Sequence, residues 1–216
     1  MAPSAQPLRI PVTKKGFFVW RKMEQERQSD YEIREATIDD VNPIRTMHGQ
    51  SWRDTYRNDE LGVTEEWLAE ETAKWLTPEW MDKSYQKMSE VFADPEQFYR
   101  VALQGDRVVG MVHVLTKEDG TKHLGALYTT TETHGSGLAQ ELMSLADSFV
   151  GDDEIDLEVV DYNERAKAFY RKCGFVDAGE TGELFRDKMP VLRMVRRAGS
   201  RSDYCKYDKK GECDEV

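Results

Sequence analysis

The chain has 216 residues, 39% of them hydrophobic and 33% charged, and its 30 Lys and Arg against 41 Asp and Glu leave a net charge of −11. That length suits one domain with modest extensions, and five Trp, nine Tyr and eight Phe speak against wholesale disorder. The acidic excess repels a phosphate backbone and disfavours a general nucleic-acid binder.

No apolar run approaches the roughly 20 residues of a membrane span, and the N-terminus lacks an apolar secretory stretch. The expectation is a soluble, cytoplasmic protein with no nucleic-acid or membrane partner. Cys173, Cys205 and Cys213 are odd in number and lack the paired spacing of a zinc site, so reduced thiols and no metal are expected.

Residues 1–30 read as an N-terminal arm, with the apolar cluster Phe17, Phe18, Val19, Trp20 followed by a charged run. Such a patch packs on the domain or on a second copy of the chain, which leaves a homodimer open; otherwise the arm is a mobile extension. Residues 31–198 form the domain, and the nearly aliphatic-free residues 199–216 read as a disordered charged tail. No repeat of 20 to 50 residues is visible.

Residues 31–36 predict a short strand. Asp39 or Asp40 caps a helix from Val41 that carries Ile44, Met47, Trp52 and Tyr56. Thr64 opens a second helix and Pro78 a third running towards Phe92. The period then changes to that of strands at residues 98–103, 108–115 and 124–130, with short turns that imply an antiparallel meander. From Gly137 a helix places Leu138, Leu142, Leu145, Ala146 and Phe149 on one apolar stripe. A strand with Ile155, Leu157 and Val159 follows. A helix from Asn163 then puts Ala166, Phe169, Tyr170 and Cys173 on one face and ends at Gly174. Phe175 and Val176 begin the next strand, and residues 191–195 form the last. The pattern defines an α/β (α+β) layer fold, with a mixed sheet and helices on both faces.

The sharpest local signal is His134-Gly135-Ser136-Gly137-Leu138-Ala139, where a strand gives way to the stripe-bearing helix. Two glycines let a ligand approach the main chain, and the first free N–H groups of the helix converge on one spot that attracts anions. A Walker loop is rejected because Leu138, not Lys, follows Gly137. A dinucleotide fingerprint is disfavoured by the antiparallel meander upstream. A tight turn that merely uses glycine is the bland alternative.

Residues 127–143, LYTTTETHGSGLAQELM, together with residues 157–176, LEVVDYNERAKAFYRKCGFV, resemble the two signatures of the GNAT superfamily of acetyl-CoA-dependent N-acetyltransferases. His134 stands where that family has Gln or Arg, Gly137 at its middle glycine and Ala139 at the end of the loop. Asn163, Ala166, Tyr170, Gly174 and Phe175 match the second signature.

The resemblance implies a mostly antiparallel sheet with a V-shaped split between the fourth and fifth strands. It implies that acetyl-CoA is held by residues 134–139, by main chain at Leu127, Tyr128 and Thr129, and by Asn163, Ala166 and Tyr170, with Tyr170 protonating the departing sulfur. A primary amine would attack the thioester directly. A non-catalytic acyl-CoA-binding or sensor domain is the alternative, and an interaction module using arm and tail a third reading.

A phenol near 10 hands a proton to a thiolate whose acid is near 8.5 only as charge develops. For the amine's proton, His123 is the candidate base, with Glu132, Asp161 or a water chain as others. Trp52 and Tyr56, four apart on one helix face, are candidates for the acceptor site, with core packing against the sheet as the alternative reading. Arg171 or Lys172 could reach the 3′-phosphate of CoA.

Overall fold

The computed structural model describes residues 31–205, so the arm and the tail beyond 205 lie outside the described residues. Seven strands form one sheet in the order β1-β2-β3-β4-β5-β7-β6. They are β1 (Glu32–Glu35), β2 (Gln97–Gln104), β3 (Arg107–Thr116), β4 (Lys122–Thr129), β5 (Ile155–Val160), β6 (Val176–Phe185) and β7 (Met189–Arg196). The helices are α1 (Val41–Thr55), α2 (Glu65–Lys74), α3 (Pro78–Ala93), α4 (Leu138–Val150) and α5 (Glu164–Lys172).

Local chemistry starts these helices where the sequence places them. The Asp40 side chain does not cap α1 as expected: its carboxylate turns back to take the Thr37 amide at 2.7 Å and both Arg34 Nη groups at 2.7 and 2.8 Å, closing the short 3-10 turn Ile38–Asp40 that leads into the helix. Thr64 Oγ1 caps α2 by accepting the Trp67 amide at 3.2 Å, a free N–H that would otherwise need water. Pro78 opens α3, where its missing N–H costs nothing.

Side-chain alternation divides the core between the two faces of the sheet. Val112, Val114, Leu157, Val159 and Met194 pack against Leu138, Leu142, Met143 and Ala146 of α4. On the other face Tyr99, Val101 and Met111 meet Ile44 and Met47 of α1 and Met88 of α3. The buried side of α4 is rotated from the predicted stripe: Met143, Asp147 and Val150 are buried, and Leu145 and Phe149 only half-buried. Asp147 on this rotated face meets Arg196 of β7 at 2.7 Å inside the core.

All strand pairs are antiparallel except β4 with β5. That parallel pairing covers only Lys122↔Ile155, His123↔Asp156 and Leu124↔Leu157. Beyond it the strands part, β4 following β3 and β5 following β7. Where they part, β4 carries one extra residue, Gly125, between the partners of Val114 and His113, a bulge that bends the strand away. The V-shaped split between the fourth and fifth strands is therefore present.

Two expectations change. Cys173, fully buried, is disulfide-bonded rather than a reduced thiol. Residues 199–205, assigned to a disordered tail, are placed on the domain. The Gly199 amide donates to the Asp152 carbonyl at 3.1 Å, and residues 203–205 form a 3-10 turn beside α4. Among the described residues no helix is long and apolar enough to cross a membrane.

Candidate active site

A cavity of about 450 Å³ occupies the split. Its wall on β4 includes Leu127, Tyr128 and Thr129, and across it stand Asn163, Ala166 and Tyr170. His134, Gly135, Gly137 and Ala139 close the open end. These ten predicted residues are thus brought together. Ser136 and Leu138 do not line the cavity. The Ser136 hydroxyl accepts the Leu138 amide at 3.3 Å, and the Leu138 side chain is buried in the core.

The loop before α4 is shaped for an anion. Gly135 and Gly137 have φ of +79° and +92°, a left-handed backbone that glycine adopts without strain. A Cβ at Gly135 would meet no protein atom within 4 Å, so the space before the loop is open. Among the described residues, the amides of Gly135, Gly137, Ala139 and Gln140 have no acceptor, and they sit at the positive end of a 13-residue helix. Arg165 adds charge there, donating to His134 Nε2 at 2.8 Å. Burial and then Arg165 lower the His134 pKa from its ordinary 6.5, which favours the uncharged imidazole.

Tyr170 is half-buried, with its ring edge-on to Phe169 and Phe175. Among the described residues its hydroxyl has no hydrogen-bond partner. Burial, and secondarily Tyr128, raise its pKa above the ordinary 10. Tyr56 lines the cavity, its hydroxyl 3.2 Å from that of Tyr128. The Tyr162 hydroxyl donates to the Tyr56 carbonyl at 2.9 Å, and burial pushes its pKa up to about 12.

Trp52 does not line the cavity. It is 2% exposed, edge-on to Tyr56 and Trp75, and donates through Nε1 to His48 Nε2 at 2.9 Å. Burial, then Arg45 and Arg186, lower the His48 pKa to about 3, so its ring stays neutral and accepts that bond. Trp52 supports Tyr56 from behind.

His123 is not brought to the cavity either. It sits in the paired part of β4, with Nδ1 2.6 Å from Asp156 Oδ1. Asp156 also accepts from Lys117 Nζ at 2.9 and 3.0 Å and from Arg193 Nε and Nη2 at 3.0 and 2.8 Å. The strand period placed His123 correctly on β4, but the cavity opens only after the pairing ends, one residue later. Glu132 is paired with Arg107, and Asp161 with Lys167 at 3.1 Å. Arg171 is held by Asp177 and Lys172 lies over the Tyr204 ring, so neither lines the cavity. The sequence reading missed Arg165, Glu158 and Tyr204 as lining residues. Arg165 follows the Asn163 cap by two positions, which could have marked it as facing the loop.

The Asp156 cluster makes stability pH-dependent. Burial alone would raise this carboxyl, but the bonds from His123, Lys117 and Arg193 outweigh it and hold the pKa below its ordinary 3.8. Its stabilisation is complete above 3.8 and is lost as pH falls through the lower folded value. Asp156→Asn is expected to cost about 2 kcal/mol at pH 7, with the gap to wild type narrowing below pH 3.8 in thermal melts. A gap that stays constant from pH 7 to pH 2 would contradict this.

A split sheet whose gap ends in a glycine loop of free amides is a cleft suited to an elongated ligand with an anionic end. A sequence profile of the Acetyltransferase (GNAT) family matches residues 62–175, and the chain belongs to that family and is an acetyltransferase. Its fold is similar to that of the PaiA N-acetyltransferase from Thermoplasma acidophilum in complex with coenzyme A, at 19% identity over 77% of this chain and 98% of that one, with a TM-score of 0.60. A GNAT-family acetyltransferase from Streptococcus pneumoniae gives 18% identity over 77% and 98%, with a TM-score of 0.59. A spermidine N-acetyltransferase SpeG chimera from Vibrio cholerae and hSSAT gives 17% identity over 83% and 100%, with a TM-score of 0.57. No curated protein sequence matches the chain.

Proposed function

We propose that this chain transfers the acetyl group of acetyl-CoA to the nitrogen of a primary amine by direct attack, the C–S bond breaking as the C–N bond forms, the nitrogen's proton leaving to water in the open cavity and the sulfur taking one from Tyr170. The observation that carries the reading is the Tyr170 hydroxyl, which lines the cavity with no partner of its own. A tyrosine serving only the core would have its hydroxyl bonded to a carbonyl.

The residues present fit acetyl-CoA. The free amides of residues 135–140 suit the diphosphate, Arg165 adds a cation, and the unpaired edge of β4 beyond Leu124 can hydrogen-bond an amide-containing arm as an added strand. When bound, acetyl-CoA supplies an activated acetyl thioester. The protein's own part is to fix the amine against that end of the cavity and to keep a protonated phenol beside the sulfur. The raised pKa keeps Tyr170 protonated at neutral pH, so it can donate.

The similarity to structures described as a coenzyme A complex and a spermidine N-acetyltransferase chimera supports a small amine as acceptor. Calorimetry with CoA, followed by thiol release over a panel of primary amines, tests the reading. Gly137→Ala is expected to weaken CoA at least about tenfold, because roughly 1–2 kcal/mol of left-handed strain is relieved by turning the amides away. Unchanged affinity would mean the loop does not bind the diphosphate.

A further inference from the structure

We propose that Glu158 is the seat for the acceptor's ammonium group, which gives up one proton to solvent through the open cavity before its nitrogen attacks, and that it selects alkylammonium ions over uncharged nucleophiles; this rests on the acetyltransfer reading above. Glu158 is the first β5 residue beyond the last β4–β5 pair, Leu124↔Leu157. It therefore stands at the apex of the split, opposite the end closed by the amide loop. A thioester arm anchored by its diphosphate at the open end would have its reactive end directed towards this apex. The Glu158 side chain is exposed and lines the cavity, whereas Leu157 and Val159 on either side are buried in the core. Among the described residues it is the one carboxylate in the lining.

What leaves Glu158 available is the treatment of its neighbour. Arg193 is its direct register partner on β7, and a cross-strand Arg would ordinarily pair with it. Arg193 instead gives Nε and Nη2 to Asp156, two residues back on the same face of β5. Asp156 also holds Lys117 and is 2.6 Å from His123 Nδ1, so the nearby Lys and Arg side chains are gathered on one buried carboxylate. Glu158 itself makes no side-chain hydrogen bond or ion pair among the described residues. An unpaired anion in a concave site bordered by low-dielectric wall concentrates cations, and the rings of Tyr56 and Tyr128 in the same lining favour a cation's approach. The cations on Asp156 close off that direction to a second positive charge.

The test compares two small nucleophiles at pH 7.5, n-butylamine, which is a cation there, and hydroxylamine, which is not. With Glu158→Gln, kcat/KM for n-butylamine is expected to fall at least about tenfold through KM, as one charged contact is worth about that factor. The hydroxylamine value and the CoA affinity should stay within about twofold. Equal losses for both nucleophiles, no loss for n-butylamine, or a wild-type protein that acetylates hydroxylamine but not n-butylamine would each overturn the inference. Failure to bind CoA, or thiol release with neither nucleophile, would instead overturn the acetyltransferase reading on which it rests.

Discussion

Tyr170→Phe is expected to lower kcat by about 10²–10³-fold while leaving CoA affinity unchanged, a loss within the range for removing a general acid. The hydroxyl makes no bond to the protein among the described residues, so its removal breaks no packing or polar contact. The ring stays edge-on to Phe169 and Phe175, and the melting temperature should hardly move. Proton transfer from the phenol to the sulfur is uphill at equilibrium, since burial raises the phenol above its ordinary 10 while a thiol lies near 8.5. Its benefit is confined to the moment when charge appears on sulfur, so the loss should fall on kcat. Stopped-flow thiol release separates the two constants. Turnover equal to wild type would remove Tyr170 from the chemistry and favour a binding or sensor role.

Element type was legible because apolar periodicity survives folding, and the predicted strands and helices fall within a few residues of the observed ones. Thr64, Pro78 and Asn163 signalled helix starts through groups that act locally. The anion loop was legible for the same reason: left-handed backbone at Gly135 and Gly137 is a property of those residues themselves.

Relations between distant strands were not legible. His123 and Glu158 lie on neighbouring strands on the two sides of one register boundary, and nothing in either local sequence says where the parallel pairing stops. Charge pairing is equally non-local. Which of Asp156 and Glu158 captures Arg193 depends on geometry between β5 and β7, so the sequence offered His123 as a base and passed over the free carboxylate. Asp147 was hidden in a hydrophobic stripe because its partner is 49 positions away at Arg196.

That buried pair carries the largest expected effect on stability. The Arg196 and Asp147 side chains are 1% and 2% exposed and approach to 2.7 Å, although the approach lacks the alignment of a hydrogen bond. Arg196 also reaches the Cys173 carbonyl at 3.5 Å and lies over the Phe175 ring at 5.1 Å. One guanidinium thus joins α4, which bears the amide loop, to β7 and to the end of α5, which bears Tyr170. Asp147→Ala strands a buried cation, and such a change costs about 3–5 kcal/mol. At about 2–4 °C per kcal/mol for a chain of this size, the melting temperature should fall by roughly 10 °C.

Replacing both partners with apolar groups, Asp147→Leu with Arg196→Met, removes the desolvation penalty along with the attraction and should recover most of that loss. Saturating CoA at about 100 times its Kd should restore some 2.7 kcal/mol to the single variant. The two outcomes separate the causes. If the double variant melts as low as the single one, the damage comes from lost packing rather than from an unpaired charge. If CoA fails to raise the melting temperature of Asp147→Ala while raising that of wild type, the pair maintains the geometry of the amide loop itself.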